Sequence, residues 1–190
     1  MDKYTVVLID DELPFVNSLG RMLEEEGYPV IRLNTIRDAV ERLTPLMEGT
    51  ADGGGAGSDV IDTGWFIVVL DHDFPPESPA VRVTLRGSES ELVVGYDVAE
   101  WLRSRHPLGR MLPIIYLSGR ESAQGFIARM RTNGQFHPDD FITKAEIGID
   151  VDMLLGRIGH FDAELARLYA LIEEHGEERG RYIFFDNFYE

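Results

Sequence analysis

The sequence predicts a doubly wound α/β domain, a five-stranded parallel sheet with helices on both faces. Three observations carry this. Short apolar, β-branched runs alternate with amphipathic stretches along the chain. Each run is continuous rather than alternating, as in strands buried on both faces. Each ends at a polar residue, beyond which a helix begins. Repeated strand-then-helix units close into a parallel sheet.

The elements follow in order. Thr5–Ile9 reads as the first strand, and Asp10-Asp11-Glu12 follows it. A helix comes next, with Pro14 in its first turn, Val16, Leu19 and Leu23 on one face, and Gly27 as its stop. Val30–Leu33 is the second strand, and Asn34-Thr35 leads into a helix over Ile36–Leu43. Trp65–Leu70 is the third strand, ending at Asp71, and Gly95–Arg105 is the third helix. Pro113–Leu117 is the fourth strand, ending at Ser118, with a helix over Glu121–Arg131. Asp140–Thr143 is a short fifth strand, ending at Lys144, and a long helix covers about Asp150–Glu174.

Two segments interrupt this rhythm. Residues 49–64 are rich in glycine, cannot bury a core and predict a mobile surface insertion. Residues 75–94 open with Pro75-Pro76 and Pro79. Val81–Leu85 then alternates, Arg86-Gly87-Ser88 turns and Glu91–Val94 returns, predicting a β-hairpin insertion. Starting four residues after Asp71, the hairpin is either a plain decoration or a flap or docking surface beside that residue.

Composition narrows the function. The chain has 190 residues, room for one domain with appendages. Its 34 acidic residues against 18 Lys and Arg give a net charge of −16, against a surface that grips nucleic acid or an anionic membrane. Cysteine is absent, so disulfides, Cys-ligated zinc and a thiol nucleophile are excluded. No stretch approaches the ~20 apolar residues of a membrane helix. No signal-peptide pattern precedes Thr5, so the expected compartment is the cytoplasm.

Ligands of doubly wound sheets bind beyond the carboxyl ends of the strands. There the sequence stations Asp10, Asp11, Asp71, Asp73, Ser118 and Lys144. One acid after a strand is an ordinary helix cap. Four acids, a hydroxyl and a lysine after four strands point to a site. Clustered carboxylates resist joint ionisation, and a hard divalent cation relieves them. Mg²⁺ is suited to a few carboxylates plus water and phosphate oxygens. One carboxylate is then free to attack phosphorus, while the cation, the lysine ammonium and the hydroxyl neutralise the equatorial oxygens.

These residues lie in four words: Val-Leu-Ile-Asp10-Asp11-Glu12, Val-Val-Leu-Asp71-His-Asp73-Phe-Pro75, Ile-Ile-Tyr-Leu-Ser118-Gly and Asp140-Phe141-Ile-Thr-Lys144. Over about residues 3–160, with both insertions looped out, the chain resembles the receiver domain of two-component response regulators. The resemblance implies a flavodoxin-like (βα)5 sheet in the order 2-1-3-4-5. It implies Asp71 as phosphoacceptor, charged by the phosphohistidine of a histidine kinase or phosphotransfer protein. Asp10 and Asp11, with Asp71 and the backbone carbonyl of Asp73, would hold Mg²⁺ or Mn²⁺. Ser118 would be the switching hydroxyl, Lys144 the phosphate-sensing lysine and Phe141 the switch aromatic. Asp73 and Arg120, each two residues past a site residue, would tune loss of the phosphoryl group and could pair with each other. His72 is expected at the surface or behind the site. One departure stands out: Ala145 follows Lys144 where the family usually has a cis proline. A non-proline cis bond costs about 3 kcal/mol, so this loop is expected trans or strained.

Val151, Leu154, Ile158, Phe161, Leu165, Leu168 and Ile172 step by threes and fours, an a/d stripe. It predicts either one long helix packed within its own chain or a helix whose outer half forms a homodimer. Gly176–Gly180 is expected to break it, leaving an aromatic tail from Tyr182 to Glu190. Residues 1–160 thus form the receiver-like domain and 161–190 an extension rather than an output domain. The expected output is contact with a downstream protein partner. The chain is expected to be a regulatory phosphoacceptor rather than an enzyme. The alternatives are a non-switching binding module and a phosphoesterase. Asp71-His-Asp73 resembles the start of haloacid-dehalogenase-like phosphatases, but the acidic pair comes in the wrong order. Asp71-His-Asp73 with Gly95–Leu102 also looks similar to receiver-like domains proposed to process cyclic phosphates.

Overall fold

A computed structural model describes residues 3–48, 64–75, 78–85, 87–119, 139–144 and 151–186. The chain divides into two compact units, 1–151 and 152–190, a division nine residues before the one read from the sequence.

The first unit is built on a five-stranded parallel sheet. Its strands are β1 (Thr5–Ile9), β2 (Val30–Leu33), β3 (Phe66–Asp71), β6 (Ile114–Ser118) and β7 (Asp139–Thr143). They lie in the order β2-β1-β3-β6-β7, the predicted 2-1-3-4-5 when the hairpin is left out. The three central strands β1, β3 and β6 are buried throughout, as their unbroken apolar runs require. Register fixes what happens at their ends. Ile9 lies opposite Leu70, Asp71 opposite Leu117 and Ser118 opposite Thr143. The polar residue that ends each strand therefore arrives at the same edge.

Three helices of this unit are described: α1 (Leu13–Glu25), α2 (Ile36–Met47) and α3 (Gly95–Arg105). In α2 the Thr35 side chain caps the start by accepting from the Asp38 amide at 3.0 Å. This helix runs four residues past its predicted end. Pro45 lies inside it and has no amide hydrogen to donate to the carbonyl four residues back, yet the helix continues, and both Leu43 and Met47 are buried. At α3, Asp97 Oδ2 accepts from the amides of Val93 and Val94 at 3.0 and 3.1 Å and holds the chain as it enters the helix. Trp101 is buried in the core. The buried Arg103 donates to the Tyr116 hydroxyl and the Leu112 carbonyl, linking α3 to the β6 region.

The hairpin forms as expected. β4 (Val81–Leu85) pairs antiparallel with β5 (Ser88–Leu92), and Val81 and Leu92 are its buried pair. At the far end of α3, Arg105 bonds Glu48 at 2.8 Å and the Thr84 carbonyl at 3.3 Å. His106 accepts from the Leu108 amide through Nδ1 and meets the Gly64 carbonyl through Nε2, which assigns the neutral ring its Nε2–H tautomer. These bonds pin the hairpin and both roots of the first insertion. The insertion itself (49–63), the helix expected over Glu121–Arg131, and the Lys144–Ala145 peptide lie outside the described residues, as does the chain beyond Asp186.

The second unit carries α4 (Val151–His175) and α5 (Glu177–Asp186). The sequence expected a break over Gly176–Gly180 and an aromatic tail. The break is Gly176 alone, in the left-handed conformation that caps a helix, and Tyr182 to Asp186 form part of a second helix. Arg167 lies over the Phe184 ring at 5.1 Å, and Phe184 is buried. The two helices meet at Gly180, where an added Cβ would come within 2.7 Å of the Ile172 Cα and amide nitrogen. Gly180→Ala is therefore expected to part α5 from α4, at about 1–3 kcal/mol. Faster proteolytic trimming of α5 would show it.

Leu154, Ile158, Phe161, Leu165 and Leu168 are all buried within the single chain. Val151 and Ile172, at the two ends of the stripe, are half-buried. Among the described residues, no helix is long and apolar enough to cross a membrane.

Candidate functional site

Each strand end delivers one piece of the site. β1 delivers Asp10, Asp11 and Glu12; β3 delivers Asp71 and, two residues on, Asp73; β6 delivers Ser118; β7 delivers Lys144. Asp10, Asp71 and Ser118 are buried, with exposures of 2%, 1% and 0%.

Lys144 is the hub. Its Nζ lies 2.8 Å from Glu12 Oε1, 3.1 Å from Asp71 Oδ2 and 3.1 Å from Asp10 Oδ2. It also lies 5.5 Å from the centre of the Phe15 ring. Burial works against the ammonium charge. The hydrogen bond to Glu12 and the charges of Asp10 and Asp71 outweigh it and hold Lys144 above its usual range.

The carboxylates are held by backbone amides as well. The Glu12 amide donates to Asp10 Oδ1 at 2.9 Å, and the Asp73 amide donates to Asp71 Oδ1 at 3.1 Å. The Asp73 carboxylate takes the Ser118 hydroxyl at 2.6 Å. His72 is half-buried, and its amide donates to the Leu117 carbonyl, extending the β3–β6 ladder past Asp71. Phe141 is buried in β7, opposite Tyr116.

Electrostatically the site is overfull. Burial and then the neighbouring Asp10 charge push the Asp71 carboxyl up to about 7, despite the Asp73 amide and Lys144. Burial raises Asp10 as well, against the Glu12 amide and Lys144. One oxygen each from Asp10, Asp11 and Asp71 lie within 4.8 Å of one another. Asp10 Oδ2 is buried and, beyond its ion-pair contact with Lys144, has no hydrogen-bond donor. An all-oxygen, acid-rich donor set with a spare buried lone pair fits a hard divalent cation of the Mg²⁺ kind.

The likeness to known structures bears on this arrangement. Superposition aligns the chain with the non-phosphorylated receiver domain of HemR from Leptospira biflexa at a TM-score of 0.51 and 21% identity, covering 84% of this chain and 94% of that one. A response regulator receiver protein from Sinorhizobium medicae aligns at 0.52 and 19%, covering 84% and 94%. The receiver domain of Francisella response regulator 1452 aligns at 0.53 and 17%, covering 85% and 98%. The chain has the receiver-domain fold. By sequence, no family model and no curated protein matches it.

The receiver sheet gathers Asp10, Asp11, Asp71, Asp73, Ser118 and Lys144 at one edge. Arg120, and with it the expected pairing to Asp73, lies outside the described residues; the described partner of the Asp73 carboxylate is the Ser118 hydroxyl. Two residues of the site went unassigned in the sequence. Glu12 makes the shortest contact to Lys144, a role the run Asp10-Asp11-Glu12 could have suggested. Gly95 packs on the end of β3, its amide donating to the His72 carbonyl at 3.2 Å, and nothing in the local sequence signals it.

Proposed function

We propose that the chain is a response regulator receiver that accepts a phosphoryl group on Asp71. The observation that carries this reading is the setting of the Asp71 carboxylate. It is buried at the tip of the central strand, with two further aspartates beside it and an ammonium 3.1 Å from Oδ2.

In the reaction an Asp71 oxygen forms a bond to phosphorus as the bond from phosphorus to the donor breaks. With a phosphohistidine donor the imidazole leaves and takes up a proton. Lys144 lies where it can neutralise an equatorial phosphoryl oxygen, and the Ser118 hydroxyl can donate to another. Asp10, Asp11 and Asp71 would hold a divalent cation, which supplies further positive charge at the same oxygens. Burial excludes water that would compete with the carboxylate.

The donor would be a histidine kinase or phosphotransfer protein, the compartment the cytoplasm and the output contact with a downstream protein. Under this reading the chain regulates rather than turns over a substrate. The test is incubation with acetyl phosphate and Mg²⁺, followed by intact mass. Wild type should gain the mass of one phosphoryl group, Asp71→Asn none, and a chelator should suppress the gain. An equal gain in Asp71→Asn would overturn the assignment, as would none in wild type under conditions where beryllofluoride also fails to bind.

A further inference from the structure

The Ser118 hydroxyl has one proton, and in this structure it goes to Asp73 Oδ2 at 2.6 Å. That is short for an O–H···O bond, as expected when the acceptor is ionised. Ser118 is fully buried at the end of β6, whereas Asp73 is half-buried in the loop after β3. The same loop residue is tied to Asp71 through its amide, which donates to Asp71 Oδ1 at 3.1 Å. Asp73 therefore faces both ways: its backbone steadies the carboxylate of Asp71, and its side chain engages the hydroxyl of the next strand.

The consequence concerns any anion that forms on Asp71. Such a group gains from the Ser118 proton only by taking it from a carboxylate that already accepts it in a charge-assisted bond. The anion must also tolerate the negative charge of that carboxylate nearby. These are separate costs, and only the first passes through Ser118.

We propose that Asp73 is a positioning residue that latches the Ser118 hydroxyl in the resting site, so that occupation of Asp71 by an anion has to break the Ser118–Asp73 bond. The proposal rests on the phosphoacceptor reading of Asp71 and adds to it. The resting site resists the phosphorylated arrangement through one identifiable bond, and removing its acceptor shifts the balance toward that arrangement.

Beryllofluoride, a trigonal anionic adduct of a carboxylate oxygen, is the probe. Its affinity is measured by calorimetry in saturating Mg²⁺ for wild type, Asp73→Ala, Ser118→Ala and the double variant. Exchanging one charge-assisted bond for a free donor is worth about tenfold in affinity. Asp73→Ala should therefore bind about tenfold tighter than wild type. Ser118→Ala should bind more weakly, and adding Asp73→Ala to it should change little, because the latch has nothing left to hold. Asp73→Asn, which keeps the shape with a weaker acceptor, should fall between wild type and Asp73→Ala and serves if the alanine variant is unfolded.

A tightening that persists unchanged in the Ser118→Ala background would reduce Asp73 to a bulk charge effect and overturn the latch. So would no tightening at all, the result expected of a purely structural loop tie, which would lower thermal stability alone. If folded wild type binds Mg²⁺ but no variant binds beryllofluoride, the phosphoacceptor reading fails and the latch with it. The two failures are thus told apart by whether wild type binds.

Discussion

Gly95→Ala is expected to cost about 3 kcal/mol, at the upper end for overpacking, or to prevent folding altogether. Gly95 is the first residue of α3, and an added Cβ would run into the Asp71 carbonyl oxygen. The His72 Cα would lie 2.9 Å away and the Asp71 carbonyl carbon 3.0 Å away. These are backbone atoms, so no side chain can swing aside. Either α3 lifts at its start, losing the bond from the Gly95 amide to His72, or the end of β3 moves and carries Asp71 with it. At ~2–4 °C per kcal/mol for a chain of this size, melting should fall by roughly 6–12 °C, with Mg²⁺ binding weakened in parallel. Gly156→Ala in α4 is the control. Gly156 is exposed, has a helical conformation and would place its Cβ in open space. The same chemical change there should stabilise by up to about 1 kcal/mol. Equal melting of Gly95→Ala and wild type would mean that the close approach of α3 to β3 is absent.

That glycine marks the limit of what the sequence discloses. The sheet was legible because its strands are continuous apolar runs that stop abruptly at a carboxylate, a hydroxyl or a lysine. A run such as Phe66–Leu70 followed by Asp71 displays both the strand and its functional end. The partners within the site were not legible. Ser118 and Asp73 lie 45 residues apart, and their bond depends on the register of β3 against β6. The sequence offered Arg120 for Asp73, because each lies two residues past a site residue, and Arg120 lies outside the described residues. Local signals misled where tertiary packing overrode them. The helix expected over Ile36–Leu43 runs on through Pro45, and Met47 is buried at its end. Two glycines bracketing Glu177–Arg179 look like a loop. Only one of them ends a helix, while the other lets α5 approach α4. A glycine in the sequence does not say whether it serves a backbone angle or a close contact.

The second large effect is a trade between stability and function at Asp71. The carboxyl moves from an ordinary 3.8 to about 7 in the folded chain, with burial as the first cause and the Asp10 charge as the second. A raised acid binds its proton more tightly folded than unfolded. Between those values the native state holds more protons than the unfolded one, so stability falls as pH rises through the window from about 4 to about 7. At 1.36 kcal/mol for each pH unit the loss is at most ~4 kcal/mol, and rearrangement and entering water should leave about 1–3. In a chelator, the wild-type melting temperature should therefore drop over this window. Asp71→Asn cannot ionise and should lack this part of the drop, so at pH 8 it should be the more stable protein despite losing its ion pair with Lys144. Mg²⁺ should reverse the order. Bound to the ionised carboxylates, it stabilises by ~1.4 kcal/mol at tenfold excess over its dissociation constant, and more as the pH rises. The Asn variant should gain little. A wild type insensitive to both pH and Mg²⁺ across this range, or an Asn variant less stable at pH 8 in chelator, would contradict the picture. If it holds, the property that makes Asp71 a candidate acceptor is also a source of instability. A buried, crowded carboxylate destabilises the fold, and a cation that would equip it for the proposed phosphoryl transfer would relieve the same strain.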